Sequence, residues 1–376
     1  MALSLDNYLM GSTDKIAFLE LKEELLEKFG EVPQDFTIPV FVEDIKEYAK
    51  GAEHFSTQQI TTAMLYLLGL DPAFKHRAQY LDFLYQAVEN PEFLAMSLAI
   101  EKLEVNAYKD ALIYMRSARG IDPKHKDICF DHALLCAEFS EEISDKDLKE
   151  ELLLLSQEGF KKVLEIDPKE YTASFQLGLI FLNRGDYQNA LPRLRTAFEE
   201  GEGELKERAH FLIEEIHAFD GLVEAEALID QERYEDALEK LSLIRMDEIN
   251  LELKYQILFA KGFCNKALGK MEQATLEYSA ALEINDQSTL LLAELGVCYA
   301  YLSEYERSLE FYLAAIELDS TSVGLLNNVA MVYLALHDIQ KAKEYISQAK
   351  EIAPNDEIVE ATIRRIRETE EGKIDG

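Results

Sequence analysis

The side chains most suited to metal chemistry lie between residues 129 and 136. Cys129, His132 and Cys136 are spaced by three and four residues, so in a helix they share one face. Thiolate and imidazole are ligands that Zn²⁺ prefers, but a structural zinc site needs four ligands and only three are visible here. The spacing therefore favours buried structural side chains, and we predict no metal and no other cofactor.

The other candidates for catalysis are weaker. His210 and His217 share a helical face without further ligands near them in the sequence, and the glycines that begin at Gly201 follow no predicted strand, so they do not form a phosphate-binding loop. The sequence contains neither a nucleophile elbow nor a His-Glu-x-x-His motif. We therefore expect a chain that is not an enzyme.

The elements that carry these residues are indicated by an internal repeat. Three consecutive 34-residue windows begin at Tyr255, Thr289 and Val323. In each window two apolar-periodic stretches of roughly a dozen residues flank a short polar break. This pattern predicts a helical hairpin in each window.

These hairpins resemble the tetratricopeptide repeat, whose pattern has small residues at the eighth, twentieth and twenty-seventh positions and often a proline near the end. Pro354 closes the last window. Small residues are needed where two antiparallel helices cross closely, because larger side chains would separate the backbones. The matching residues are Gly262, Gly296 and Ala330, then Ala274, Ser308 and Ala342, then Ala281, Ala315 and Ala349.

The resemblance extends over residues 92–356 and comprises about seven units. Earlier units begin near residues 92, 126, 171 and 218. The second of these carries an insertion near residues 140–150, which predicts a charged loop or a helix extension, and an additional helix is expected near residues 204–217. The implied fold is an all-α, right-handed solenoid of helical hairpins.

The two ends of the chain do not follow the repeat. In residues 1–91, amphipathic patterns predict helices over residues 14–30, 58–72 and 74–91, with a break around Pro33 and Pro39. We interpret this region as a small helical N-terminal module, and whether it contains a degenerate repeat is left open. Residues 357–376 are expected to form a capping helix and a polar tail.

The resemblance also implies a binding surface. In tetratricopeptide arrays the first helix of each hairpin lines the concave side through its second, fifth, ninth and twelfth positions. These positions are mainly apolar and aromatic here: Phe93, Met96, Ile100 and Leu103; Phe175, Leu179 and Leu182; Phe259, Phe263 and Lys266; Asn327, Met331 and Leu334. The alternative is that these side chains pack within the array itself.

One family subtype can be compared directly. Members that bind the acidic tails of chaperones carry a two-carboxylate clamp of Lys and Asn at these inner positions. Apolar residues such as Phe175, Leu179 and Phe259 occupy the matching positions, so recognition of an acidic C-terminal tail is disfavoured. Asn327 and Asn328 remain candidate contacts, because a side-chain amide can both donate to and accept from a peptide backbone.

The net charge of -34 disfavours a nucleic-acid partner. The acidity either keeps a large helical surface in solution or selects basic partners, and both interpretations stay open. Four cysteines in 376 residues do not make a disulfide framework. No apolar run is long enough to cross a bilayer, so we do not expect membrane insertion. We expect a cytoplasmic location.

The sequence therefore favours a non-enzymatic interaction scaffold that holds a partner peptide or helix, basic or amphipathic, in an apolar concave groove. Two other functions remain open: a peptide-sensing regulator whose N-terminal module is the effector, and a structural subunit of a larger complex. The sequence specifies neither the partner nor the oligomeric state.

Overall fold

The computed structural model of the protein describes residues 4–20, 33, 35–49 and 55–372. Packing divides the chain into two compact units, unit 1 (Met1–His210) and unit 2 (Phe211–Gly376). This division differs from the predicted boundaries after residues 91 and 356. Each unit consists mainly of antiparallel helical hairpins stacked side by side.

Unit 1 contains ten helices among its described residues and a two-stranded antiparallel sheet. The helices are α1 Leu5–Met10, α2 Val42–Tyr48, α3 Thr57–Leu70, α4 Arg77–Ala87, α5 Pro91–Leu103, α6 Tyr108–Ile121, α7 Lys126–Glu142, α8 Lys146–Ile166, α9 Tyr171–Asn183 and α10 Tyr187–Glu200. The strands are β1 Ile16–Glu20 and β2 Thr37–Phe41.

Helix α11 spans Gly203–Asp230, and the remaining helices belong to unit 2. They are α12 Tyr234–Ser242, α13 Leu251–Ala267, α14 Met271–Ile284, α15 Thr289–Tyr301, α16 Tyr305–Leu318, α17 Val323–Ala335, α18 Ile339–Ile352 and α19 Glu357–Glu370.

The sheet corrects the prediction for the start of the chain. A helix was expected over residues 14–30, but residues 16–20 form β1, and residues 21–30 lie outside the described residues. Pro39, expected to separate two helices, lies in β2 opposite Phe18. The hydroxyl of Tyr80 on α4 donates a hydrogen bond to the carbonyl of Thr37 at 2.7 Å. Strand pairing and packing against the helices therefore outweigh the local helical pattern.

The two other predicted N-terminal helices are present as α3 and α4. Helix α3 begins with a capping box, in which the Ser56 and Gln59 side chains each bond the other residue's backbone N–H. It then packs closely on α6, because a Cβ added at Gly69 would lie 1.7 Å from the carbonyl oxygen of Ile113. The N-terminal region thus shares its hydrophobic core with the first hairpin.

Six of the hairpins turn in the same way. The fifteenth residue of each window has a left-handed backbone conformation, and the next N–H donates to the carbonyl five residues before it, which is the Schellman arrangement for ending a helix. These residues are Asn106, Gly185, Glu232, Gly269, Ser303 and His337. The shared turn shows that these six hairpins follow one repeat register, and the last three turns are spaced by 34 residues.

Two of the repeat units are irregular. One lacks this turn, and the other begins with a longer helix than predicted. In the unit from residue 126, the equivalent residue, Ser140, is helical, and the insertion extends α7 and α8 to 17 and 21 residues. Residues 204–217, predicted to form an additional helix, are helical but do not form a separate helix. Those residues are continuous with the first helix of the next unit and form one 28-residue helix, α11.

The small residues lie where the helices cross, as predicted. A Cβ at Gly262 would lie 2.5 Å from the Tyr278 ring, and one at Gly296 would lie 2.7 Å from the Tyr312 ring. The small residues at the twentieth and twenty-seventh positions, including Ala315, are fully buried. At the C-terminal end, α19 covers the last hairpin through buried Val359, Thr362 and Ile366.

Candidate functional site

A cleft of about 310 Å³ opens in unit 2 between α11 and α13. Helix α13 contributes most of its surface, and two of its residues, Phe259 and Phe263, are predicted groove positions. The complete lining is Glu226 and Ile229 from α11 with Tyr255, Gln256, Phe259, Ala260 and Phe263 from α13.

The aromatic wall of the cleft follows from the spacing along α13. Tyr255, Phe259 and Phe263 are four residues apart, so their rings line one face of the helix. The ring centroids of Tyr255 and Phe259 are 6.5 Å apart, with an angle of 24° between the ring planes. The opposite face, including Ile257 and Cys264, is fully buried in the core. Helix packing thus holds three half-buried rings at the surface.

Contacts behind the rings restrict their motion. The Phe259 centroid lies 5.6 Å from that of Tyr278 on α14, and the Phe263 centroid lies 6.2 Å from that of Tyr234 on α12. The Tyr255 hydroxyl shares a hydrogen bond of 3.0 Å with Ser288. The wall is therefore supported by the neighbouring hairpins.

The negative and positive charges around the cleft differ in whether they are paired within the protein. Among the described residues, the side-chain carboxylate of Glu226 has no hydrogen-bond or ion-pair partner. Lys266, a predicted groove residue, is half-buried with its ammonium 5.4 Å from the Phe263 centroid, and it is paired with Glu294. The positive charge beside Phe263 is thus neutralised internally, whereas the carboxylate of Glu226 is not.

The predicted groove residues on α17 are placed differently. Asn327 is 8% exposed, and its side-chain oxygen accepts a hydrogen bond of 2.7 Å from Thr362 on α19. Asn328 is half-buried and contacts the Tyr312 hydroxyl. Met331 is half-buried, and Leu334 is buried. The Asn327 amide therefore fixes the capping helix and does not line an open surface.

The predicted residues on α9 and α5 belong to unit 1. Phe175 is 2% exposed and has the guanidinium of Arg208 5.2 Å from its ring centroid. Leu179 and Leu182 are half-buried. Phe93 and Ile100 are exposed on α5. Phe175 consequently contributes almost no accessible surface.

The cysteine and histidine group on α7 lies in the core. The Nδ1 atom of His132 is 3.1 Å from Arg119 Nη1 and 3.9 Å from the Cys136 sulfur, whereas the Cys129 thiol contacts the Pro123 carbonyl at 3.4 Å. Burial, together with Arg119 and Arg116, lowers the pKa of His132 to about 3. Burial raises the pKa of Cys136 to about 12. His132 and Cys136 are therefore a neutral imidazole and a protonated thiol inside the core. They do not form a ligand group with Cys129.

The two cysteines of unit 2 are also buried. Cys264 and Cys298 are free thiols inside the hairpin cores, and burial raises the pKa of each to about 11. Separately, none of the helices in the described ranges combines the length and the apolar character required to cross a bilayer.

Comparison with known proteins identifies one family and a set of solved structures. The tetratricopeptide repeat family model matches residues 291–322 and 323–356. A comparison with curated proteins finds no match to the chain.

Three similar solved structures illustrate the range of these matches. One is YrrB, described as a TPR protein with an unusual peptide-binding site, at 16% identity over 66% of this chain and 97% of that chain, with a TM-score of 0.28. Another is pilF of Pseudomonas aeruginosa, at 16% identity over 73% of this chain and 97% of that chain, with a TM-score of 0.27. The third is the first TPR of Spaghetti (RPAP3) bound to the HSP90 peptide SRMEEVD, at 19% identity over 31% of this chain and 94% of that chain, with a TM-score of 0.30.

Proposed function

We propose that this chain, which is a tetratricopeptide-repeat protein, is a non-enzymatic interaction scaffold that binds a segment of a partner protein in the cleft between α11 and α13. The observation that carries the proposal is the wall formed by Tyr255, Phe259 and Phe263, which is held at a concave surface by the packing behind it.

Aromatic side chains in a concave surface are typical anchors of protein interfaces. They supply a large contact area, and they lose little conformational entropy on binding when their rotamers are already fixed. Binding sites for whole small molecules usually have volumes of about 300–1,000 Å³ and enclose most of the ligand. At about 310 Å³ the cleft is at the lower end of that range, which suits one or two side chains that project from a larger partner.

Charge supports a basic or amphipathic partner. The chain carries a net charge of -34, and an acidic surface accelerates encounter with a positively charged partner. Apolar contact with the rings should govern dissociation, and charge should govern association.

The alternative of a peptide-sensing regulator requires an N-terminal effector module that responds independently. In unit 1 this region is joined to the first two hairpins. Lys15 pairs with Asp110 at 2.7 Å, the backbone N–H of Leu5 donates to Glu151 at 2.7 Å, and Gly69 packs against Ile113. These contacts favour a scaffold over a module that moves freely. The experiment below also separates a scaffold from a structural subunit that uses another face.

The decisive experiment combines Phe259→Asp with Phe263→Asp in the full chain. Partners captured by the tagged wild-type protein are identified by mass spectrometry and purified. The affinity of each partner for each variant is then measured. The control is Leu276→Asp with Tyr301→Asp, which adds the same charge at residues that are 71% and 72% exposed outside the cleft lining.

We expect the cleft variant to keep its helical circular dichroism and a cooperative melting transition while it loses the partner, and the control to retain both folding and binding. Raised salt should slow association more than it speeds dissociation. A folded cleft variant that binds its partner at unchanged affinity would refute this site and point to another surface.

A further inference from the structure

We infer that the side chain entering the cleft is an arginine of the partner segment. This inference rests on the proposed function, because it names the group that the same cleft recognises. It follows from the hydrogen-bonding capacity of the lining and from the shape of the wall.

The lining offers acceptors but almost no free donors. Glu226 provides a carboxylate that is unpaired within the described parts of the chain. One of the two side-chain N–H groups of Gln256 donates to Glu252 at 3.0 Å, which leaves one N–H donor and the Gln256 carbonyl as an acceptor. The Tyr255 hydroxyl is engaged with Ser288. A ligand that satisfies these groups must bring donors of its own.

The aromatic wall selects for positive charge as well. The faces of aromatic rings are negative and attract cations. None of the described residues lining the cleft is a lysine or an arginine, and the neighbouring Lys266 is neutralised by Glu294. Lys266 already lies beside Phe263. The rings of Tyr255 and Phe259 together with the Glu226 carboxylate are therefore the groups complementary to a cationic side chain.

Arginine fits this combination better than lysine or leucine. Its planar guanidinium can stack on a ring and donate two hydrogen bonds to one carboxylate, whereas the ammonium of lysine has no plane to stack. Its apolar stem can pack on Ile229 and Ala260. A leucine offers the exposed Glu226 carboxylate neither a hydrogen bond nor an opposite charge, and an acidic side chain would be repelled by it.

The test uses four capped pentapeptides, Ac-Ala-Ala-X-Ala-Ala-NH2, in which X is arginine, citrulline, lysine or leucine. Citrulline has the shape of arginine without its charge. Binding to the full chain is followed by NMR through the methyl groups of Ile229 and Ala260, which line the cleft. Two variants are compared: Glu226→Gln, and Glu283→Gln as a matched control at an exposed glutamate of α14.

We expect the arginine peptide to shift both methyl signals and to bind at least about fivefold more tightly than each of the other three peptides. Glu226→Gln should remove most of that preference, and Glu283→Gln should preserve it. Because the methyl signals report on unit 2 directly, a global loss of folding would be visible in the same spectra.

The inference is overturned if the citrulline, lysine or leucine peptide binds as tightly as the arginine peptide, or if Glu226→Gln keeps the full preference. It is also overturned if the arginine peptide shifts neither methyl signal. These outcomes leave the proposed function intact as long as partner binding still depends on Phe259 and Phe263. Loss of that dependence refutes the proposed function separately.

Discussion

Replacing Gly69 by alanine should destabilise unit 1, although alanine is normally the better helix former. Gly69 lies in α3, where an added Cβ would be 1.7 Å from the carbonyl oxygen and 2.7 Å from the carbonyl carbon of Ile113 on α6. Carbon and oxygen atoms in close contact are usually about 3.3 Å apart. Because both clashing atoms belong to the backbone, α3 and α6 must separate by about 1.5 Å.

The size of the effect follows from the contacts that this separation loosens. A gap of about 0.5–1 Å already removes a quarter to a half of the dispersion energy between facing atoms. The residues around this contact, including Leu65, Leu68 and Leu112, are fully buried. Overpacking typically costs about 1–3 kcal/mol and sometimes more, whereas alanine gains about 1 kcal/mol as a helix former. We expect a cost at the upper end of that range and a net loss of about 2 kcal/mol, since the backbone contact leaves no side chain to rotate away.

The matched control is Gly324→Ala. Gly324 also lies in a helix, but a Cβ there has no atom within 4 Å, so the change should stabilise unit 2 by about 0.4–1 kcal/mol. Urea unfolding followed by circular dichroism measures both variants. Hydrogen exchange of the α3 and α6 amides assigns the loss to unit 1, because the two units can unfold in separate transitions. A Gly69→Ala protein as stable as the wild type would show that α3 and α6 do not approach this closely.

Three further changes test other parts of the structure. Ala315→Leu should lower the unfolding free energy by about 1–3 kcal/mol, because Ala315 is fully buried at a helix crossing; an unchanged melting temperature would place it at the surface and contradict the repeat frame. Thr362→Val should cost about 1–3 kcal/mol in denaturant unfolding, because buried Asn327 loses its donor; no loss would mean that this bond does not hold the capping helix. The pKa of His132 is lowered from 6.5 to about 3 in the folded chain, so the unfolded chain binds one more proton between these values and stability should fall as the pH drops below about 6.5, by up to about 1.4 kcal/mol per pH unit. His132→Gln should remove that slope between pH 6 and 4.5, and equal slopes in the two proteins would show that His132 titrates normally.

The repeat could be predicted from the sequence because its determinants are local. Small residues recur at fixed positions, and each is needed for a helix crossing inside one hairpin or with the next. Gly262 against Tyr278 and Gly296 against Tyr312 are contacts of this kind, and the partners are 16 positions apart in the sequence. The same spacing predicts which face of α13 carries Phe259 and Phe263.

The sheet at the start of the chain could not be predicted in this way. Residues 16–20 carry an apolar pattern that also suits a helix, and their strand partner begins only at Thr37. What selects the strand is pairing across that distance and packing on a third element, including the bond from Tyr80 to Thr37. Non-local contacts of this kind leave little signal in a window of a dozen residues.

The cleft was predicted only in part, again because contacts between separate elements determine the rest of it. Phe259 and Phe263 follow from the repeat frame, but Glu226 and Ile229 come from α11. Because α11 is one long helix, the boundary between repeat units is not marked there by a helix end. Asn327 occupies an inner position by spacing, yet Thr362, 35 residues later, takes its hydrogen-bonding capacity. Assigning such residues requires knowing what the following element covers.

The four buried cysteines allow the opening of each compact unit to be followed by the rate at which its thiols are alkylated. Cys129 and Cys136 lie in unit 1, Cys264 and Cys298 lie in unit 2, and burial raises the pKa of every one of these thiols. A thiol-alkylating reagent reacts with the thiolate and needs access to it, so labelling waits for the surrounding helices to open. The mass gained by each cysteine peptide with time therefore reports on the opening of its unit, and no cysteine has to be introduced for this purpose. A partner held by the cleft would slow this labelling at Cys264 and Cys298.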